Sequence, residues 1–133
     1  MPFGVVNELH LSFDPRQVQT ETLSAYIRTC LPATMEKQVL YVLFTVTDEI
    51  LANLCCHSRA TLARVQCRYE KGRIFLSIWD NGIPFDPIKV TPSTQKQIGG
   101  WGLYLCKKLT DEMHYTRVNQ TNRLTLVKYY IND

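Results

Sequence analysis

Between residues 35 and 57 the apolar side chains Val39, Leu40, Leu43, Val46, Ile50, Leu51 and Leu54 recur at helical spacing. This periodic signal, the strongest in the chain, predicts a helix whose apolar stripe needs a cover. The segments around it supply one. Residues 5–13 alternate in character and predict a strand. Asp14-Pro15 offers an N-cap followed by proline at the first helical position, so a helix is expected from there to about Leu31, stopped by Pro32. Residues 61–70 and 73–79 predict two strands joined at Lys71-Gly72. Residues 80–99, with Gly82, Pro84, Pro87, Pro92 and Gly99, predict a loop long enough to have a function. Residues 100–111 predict a helix with Leu103, Cys106 and Leu109 on one side, and residues 113–119 and 123–131 a closing hairpin.

The resulting order is β-α-α-β-β-loop-α-β-β. Short turns between neighbouring strands call for an antiparallel or mixed sheet, mostly antiparallel, and the helices can cover only one face of it. The expected fold is a two-layer α/β sandwich forming a single domain over residues 1–133, without repeat or linker. Composition agrees. The chain has 133 residues, 15 Lys and Arg against 12 Asp and Glu for a net +3, and 45% hydrophobic residues. That suits one soluble domain with one core and is too apolar for disorder. A small positive charge spread along the chain leaves no nucleic-acid footprint. No apolar run predicts a membrane span, and the N-terminus lacks the basic-then-apolar pattern of a signal peptide. The five cysteines (Cys30, Cys55, Cys56, Cys67 and Cys106) are odd in number and form no Cys-x-x-Cys pair. Buried free thiols in a reducing compartment are expected, rather than a disulfide framework or a zinc site at Cys55, Cys56 and His57.

Three short segments carry possible chemistry. Glu49, Asn53 and His57 are spaced four apart, and each such step turns a helix by only about 40°. They form one polar row, either a solvated edge or one side of a site. In Trp79-Asp80-Asn81-Gly82-Ile83-Pro84-Phe85-Asp86, Asp80 and Gly82 make either a simple turn or a fixed carboxylate beside backbone that a ligand can approach closely. Gly99-Gly100-Trp101-Gly102-Leu103 lies at the start of a helix. Free backbone N–H groups and the helix dipole there favour a phosphate, although a turn also needs such glycines. Neither the Gly-x-x-x-x-Gly-Lys-Ser/Thr loop nor a dinucleotide fingerprint is present.

In this order and spacing the three segments resemble the GHKL ATPase superfamily. Glu49 and Asn53 match its Glu-x-x-x-Asn box, Asp80 and Gly82 its Asp-x-Gly-x-Gly box, and Gly100-Trp101-Gly102-Leu103 its Gly-x-Gly-Leu box. Within the superfamily, Glu49 to His57, Phe85-Asp86-Pro87 and Gly99 through Tyr115 look most like the small bacterial anti-sigma serine kinases. The resemblance covers nearly the whole chain and implies the following roles. Asp80 accepts a hydrogen bond from the adenine amino group of ATP, with Gly82 beside it. Asn53 holds Mg²⁺ at the phosphates, and Glu49 is general base or orients the attacking oxygen. Gly100, Trp101, Gly102 and Leu103 cradle phosphate, and residues 87–98 form a lid in which Lys89, Ser93, Thr94 and Lys96 reach it. Asn122 falls where the family often has a threonine near the adenine. Pro84 departs from the pattern, standing in place of a glycine. Proline fixes φ and removes an N–H, so the segment after Asp80 is expected to move differently here.

The function implied is an anti-sigma factor and serine kinase, phosphorylating a small anti-anti-sigma (STAS-type) protein and possessing a sigma factor as a second partner. It would be cytoplasmic and homodimeric, with no nucleic acid or membrane bound directly. Two alternatives remain. One is a nucleotide-binding regulatory module without turnover, which Pro84 favours and Glu49 opposes. The other is the ATP-binding domain of a histidine kinase. Against the latter, His10, His57 and His114 are followed by Leu11, Ser58 and Tyr115, whereas a phosphoacceptor histidine is followed by an acid.

Overall fold

The computed structural model describes residues 7–17, 20–89 and 102–131. Its elements follow the expected order: β1 (Asn7–Phe13), α1 (Thr20–Cys30), α2 (Lys37–Cys56), β2 (Ala63–Glu70), β3 (Arg73–Asp80), a 3₁₀ turn (Pro87–Lys89), α3 (Gly102–Leu109), β4 (Glu112–Val118) and β5 (Thr121–Tyr129). The strands lie in the order β1-β2-β3-β5-β4. All four pairings are antiparallel. The chain leaves the sheet after β3, returns through α3 to the far edge as β4, and turns back as β5 to fill the gap. The β4–β5 turn is tight, with Asn119 at φ 52° and Gln120 at φ 63°, the left-handed pair that matches the twist of a two-residue hairpin. The β2–β3 turn uses Gly72 at φ 84°.

Alternation along the strands sends Val65 and Cys67, Ile74, Leu76 and Ile78, and Leu124 and Leu126 to one face, where all are buried. All seven apolar positions of the 35–57 periodicity are buried against that face, together with Val42 and Thr47. Leu23 and Ile27 of α1 and Leu103 and Cys106 of α3 complete the core. By length and composition alone α2 is apolar enough to cross a membrane. Here its apolar side is the lid of the sheet, which is why the helix is so hydrophobic.

Two expectations are corrected. No helix starts at Asp14. Its Oδ1 accepts the Arg16 backbone N–H at 2.9 Å and Arg16 Nε at 3.0 Å, and its carbonyl accepts Gln17 N–H at 3.0 Å. These bonds close a local turn over residues 14–17, and the helix begins only at Thr20. Nor are all the thiols buried: Cys30, Cys67 and Cys106 are, but Cys55 and Cys56 end α2 on its exposed side. No metal-ligating cluster occurs among the described residues.

Candidate functional site

Asp80 is the last residue of β3, the sheet's central strand, and its side chain is buried under the C-terminal half of α2. Its Oδ1 accepts the Gly82 N–H at 2.8 Å and Asn122 Nδ2 at 3.1 Å. Oδ2 accepts nothing among the described residues. Asn122 faces Asp80 in register on β5. Its Nδ2 also donates to the Ile83 carbonyl at 2.9 Å. Its Oδ1 accepts Tyr115 Oη at 2.5 Å and an Arg117 guanidinium nitrogen at 3.0 Å. The same Arg117 nitrogen donates to the Gly82 carbonyl at 3.0 Å, and the Tyr115 hydroxyl accepts the Phe85 N–H at 3.3 Å.

The segment after Asp80 is therefore bonded on both sides. Ile83 N–H donates to the Ser58 carbonyl at 2.8 Å, while Asn81 Oδ1 accepts the N–H groups of Thr61 and Leu62 at 2.9 and 3.1 Å. A Cβ on Gly82 would stand 2.4 Å from the Ser58 carbonyl oxygen and 2.9 Å from Asp80 Oδ1. Only glycine fits, because the obstructing atom is backbone. Pro84 is exposed in the middle of this fastened stretch. It stands at a place where backbone carbonyls and side chains hold the chain.

The second part of the site is on α2. Glu49 and Asn53 are both half-buried, one turn apart. Asn53 Nδ2 donates to the Glu49 carbonyl at 3.0 Å, which turns its Oδ1 away from the helix backbone. The Glu49 carboxyl group lies against the first residue of α3: a Cβ on Gly102 would come within 1.8 Å of Glu49 Oε2. Nearby, burial and then the Glu49 charge push the Cys106 thiol up to about 12, so it is neutral and structural. Exposed His57 caps the C-terminus of α2 at the pocket's edge, so the three-residue polar row runs from half-buried to exposed.

Between these parts lies a pocket open to solvent. Ile50, Leu54, Ile78, Leu103 and Leu124 make apolar walls; Asn53, Asp80 and Asn122 are among the polar groups at its edge. A slot with apolar sides and one carboxylate oxygen held in place suits a flat, apolar ligand carrying a hydrogen-bond donor. Tyr115 and Arg117 were not singled out by the sequence. The available signal was their alternation on β4, which brings them to the face of Asn122 and Leu124. Gly100 and Trp101, and Ser93, Thr94 and Lys96 of the expected lid, lie outside the described residues. Of that lid, Pro87–Lys89 is a 3₁₀ turn, with Asp86 Oδ1 accepting Ile88 N–H at 2.9 Å and Lys107 Nζ donating to the Ile88 carbonyl at 2.5 Å. Lys89 is exposed there.

A family model for the histidine kinase-like ATPase domain matches residues 11–128. The chain belongs to this family. Among solved structures, it is similar to the RsbU and RsbW domains of Rv1364c from Mycobacterium tuberculosis, with a TM-score of 0.62 and 17% identity. That alignment takes in 94% of this chain and only 34% of the other, so the present domain spans about a third of that protein's length. At this identity the likeness concerns the fold. No curated protein matches the sequence. The fold is thus the GHKL-type α/β sandwich, and the pocket lies in an ATPase-family domain. Its residues suit a nucleotide base carrying an amino group: an unpaired carboxylate oxygen at the end of an apolar slot, and at Gly82 a place where any side chain would collide with the backbone of Ser58.

Proposed function

We propose that this chain is an ATP- and Mg²⁺-dependent protein serine kinase of the partner-switching type, acting on a serine of an anti-anti-sigma (STAS-type) protein and restraining a sigma factor. The observation that carries the reading is the placement of Glu49. Its carboxyl group abuts the start of α3, one turn along α2 from Asn53 and beside a pocket that ends at Asp80. In this reading Asp80 Oδ2 takes the adenine amino group, while Asn122, donating Nδ2 to Asp80 Oδ1, fixes the carboxylate's orientation. Asn53 Oδ1 is the neutral oxygen offered to Mg²⁺, an ion that keeps several waters and draws much of its coordination from phosphate. Bound Mg²⁺ would offset charge on the phosphates. Glu49 receives the proton of the serine hydroxyl or orients it, since phosphoryl transfer asks the protein mainly for positioning and charge stabilisation. Gly100, Trp101, Gly102 and Leu103 are assigned to the phosphates at the start of α3. The choice of serine as acceptor, a homodimer and a cytoplasmic setting belong to the same proposal.

The test is transfer of label from γ-³²P-ATP in the presence of Mg²⁺ and candidate STAS proteins. Label on a partner serine is the expected result. Label on a histidine of this chain overturns the serine-kinase reading in favour of the histidine-kinase one, and nucleotide binding without transfer to any partner overturns it in favour of an inert module. Two substitutions probe the site more finely. Asn53→Ala is expected to remove the Mg²⁺ dependence of ATP affinity, measured by calorimetry with and without the metal; an unchanged dependence would take Asn53 out of the metal site. Asn122→Ala removes a hydrogen bond to the Asp80 carboxylate together with the bonds to Ile83, Tyr115 and Arg117; a bond to a charged acceptor is worth about 1.5–3 kcal/mol, so ATP binding should weaken about tenfold or more, with ADP and ATP affected alike.

A further inference from the structure

The sheet face turned away from the helices takes no part in the pocket, and its charge is unevenly distributed. Register places Ser12, Arg64, Trp79, Arg123 and Thr116 side by side across all five strands at the end nearest Asp80. The next row is His10, Gln66, Ser77, Thr125 and His114. Neither row contains an acidic residue. Glu8, Glu70 and Glu112 all fall in rows farther along, where Glu70 pairs with Arg73 at 3.2 Å and Glu112 with His114 at 2.9 Å.

In the first row the guanidinium carbon of Arg64 lies 4.2 Å from the Trp79 ring centroid and that of Arg123 lies 5.0 Å from it. Stacking of this kind holds a guanidinium by its face and leaves its in-plane N–H groups free. Neither arginine has a carboxylate within ion-pairing distance among the described residues. Beside them a groove opens to solvent between Ser12, Leu62, Arg64, Trp79 and Thr121, with Leu62 56% exposed; Asp80, 8% exposed, also contributes to its lining. Two ordered guanidinium edges next to an apolar groove are complementary to carboxylates flanking an apolar side chain, and carboxylates are the groups a guanidinium fork binds bidentately.

We propose that this end of the open sheet face docks an acidic segment of a partner protein, with carboxylates on Arg64 and Arg123 and an apolar side chain in the groove beside Leu62. The arginine row lies on the opposite face of the sheet from the pocket, and the proposal stands independently of any phosphoryl transfer. A nucleic acid suits it less, because base stacking needs a bare aromatic face and Trp79 already lies under guanidinium groups. A second copy of the chain would bring a like-charged row against this one.

The test uses the full chain and a short fluorescein-labelled peptide of repeating Glu-Glu-Leu, followed by fluorescence anisotropy. Saturable binding that weakens as salt is raised is expected. The double variant Arg64→Gln, Arg123→Gln should weaken it about tenfold or more, the loss of bidentate charge-assisted bonds, with ATP affinity unchanged. Arg64→Lys with Arg123→Lys, which keeps the charge and removes the fork, should give an intermediate loss. Should the Gln pair fail to fold by circular dichroism, the Lys pair decides alone. Absence of saturable peptide binding, or equal binding by both variants and the parent, overturns the proposal. So does tighter binding of a single-stranded oligonucleotide that the same variants abolish, or a parent dimer that the Gln pair dissociates in sedimentation.

Discussion

Asp80→Asn is expected to lower ATP affinity about 100-fold, with the melting temperature little changed. The argument rests on the hydrogen-bond directions around the carboxylate. Oδ1 is already an acceptor for two donors, Gly82 N–H and Asn122 Nδ2. Oδ2 is the acceptor left for the base amine. An asparagine must place its NH₂ on one side or the other. On the first, it opposes two donors of the protein; on the second, it opposes the amine of adenine. Either choice replaces a hydrogen bond to a charged acceptor, worth about 1.5–3 kcal/mol, by a donor facing a donor. At about 1.4 kcal/mol per decade this gives a loss of one to two orders of magnitude from the bond alone. The same geometry predicts a gain. Inosine triphosphate, with a carbonyl where adenine has an amine, should lose far less, so its affinity relative to ATP rises in the variant. Calorimetric titration with both nucleotides checks this. An ATP affinity within threefold of the parent protein would remove Asp80 from base recognition.

The parts of this site that were legible in the sequence are those set by short-range periodicity. Glu49, Asn53 and His57 share a side of α2 because four-residue steps nearly close a helical turn, and Asp80 follows inward-facing Ile74, Leu76 and Ile78 by strand alternation. What escaped was set by contacts between distant segments. Tyr115 and Arg117 read only as alternate residues of a β-strand. Their role depends on β5 lying between β3 and β4, which brings Asn122 within reach of both Asp80 and Arg117. Pro84 read as a change in how the segment after Asp80 moves; the hydrogen bonds of its neighbours Gly82, Ile83 and Phe85 with Ser58, Asn122, Arg117 and Tyr115 had no local signal. The start of α1 was misplaced because the Asp14-Pro15 signal serves a turn over residues 14–17 and the helix begins at Thr20. Nor does spacing along the chain bring Gly102 to Glu49. That contact exists because α3 packs across α2 on the same side of the sheet.

This contact gives the second large effect. Glu49→Gln is expected to lower phosphoryl transfer to a STAS partner by about 10²–10⁴-fold, the usual contribution of a positioned acid or base, with ATP affinity within about twofold. Glutamine keeps the shape against Gly102 and loses only the basic oxygen. Gly102→Ala should reproduce the loss while leaving the carboxylate in the protein. The added methyl would lie 1.8 Å from Oε2 and 2.7 Å from Cδ of Glu49, so the carboxyl group has to swing away. Unfolding is not expected as the cause, since the atoms in the way are the far end of the flexible Glu49 side chain and not backbone. The two variants therefore separate the chemistry of the group from its position. Initial rates of label transfer at saturating ATP, with affinities measured in parallel, distinguish the outcomes. Full transfer by Glu49→Gln would exclude a proton-accepting role for Glu49. Loss in Glu49→Gln with full transfer in Gly102→Ala would mean that the carboxylate acts from a place other than the start of α3.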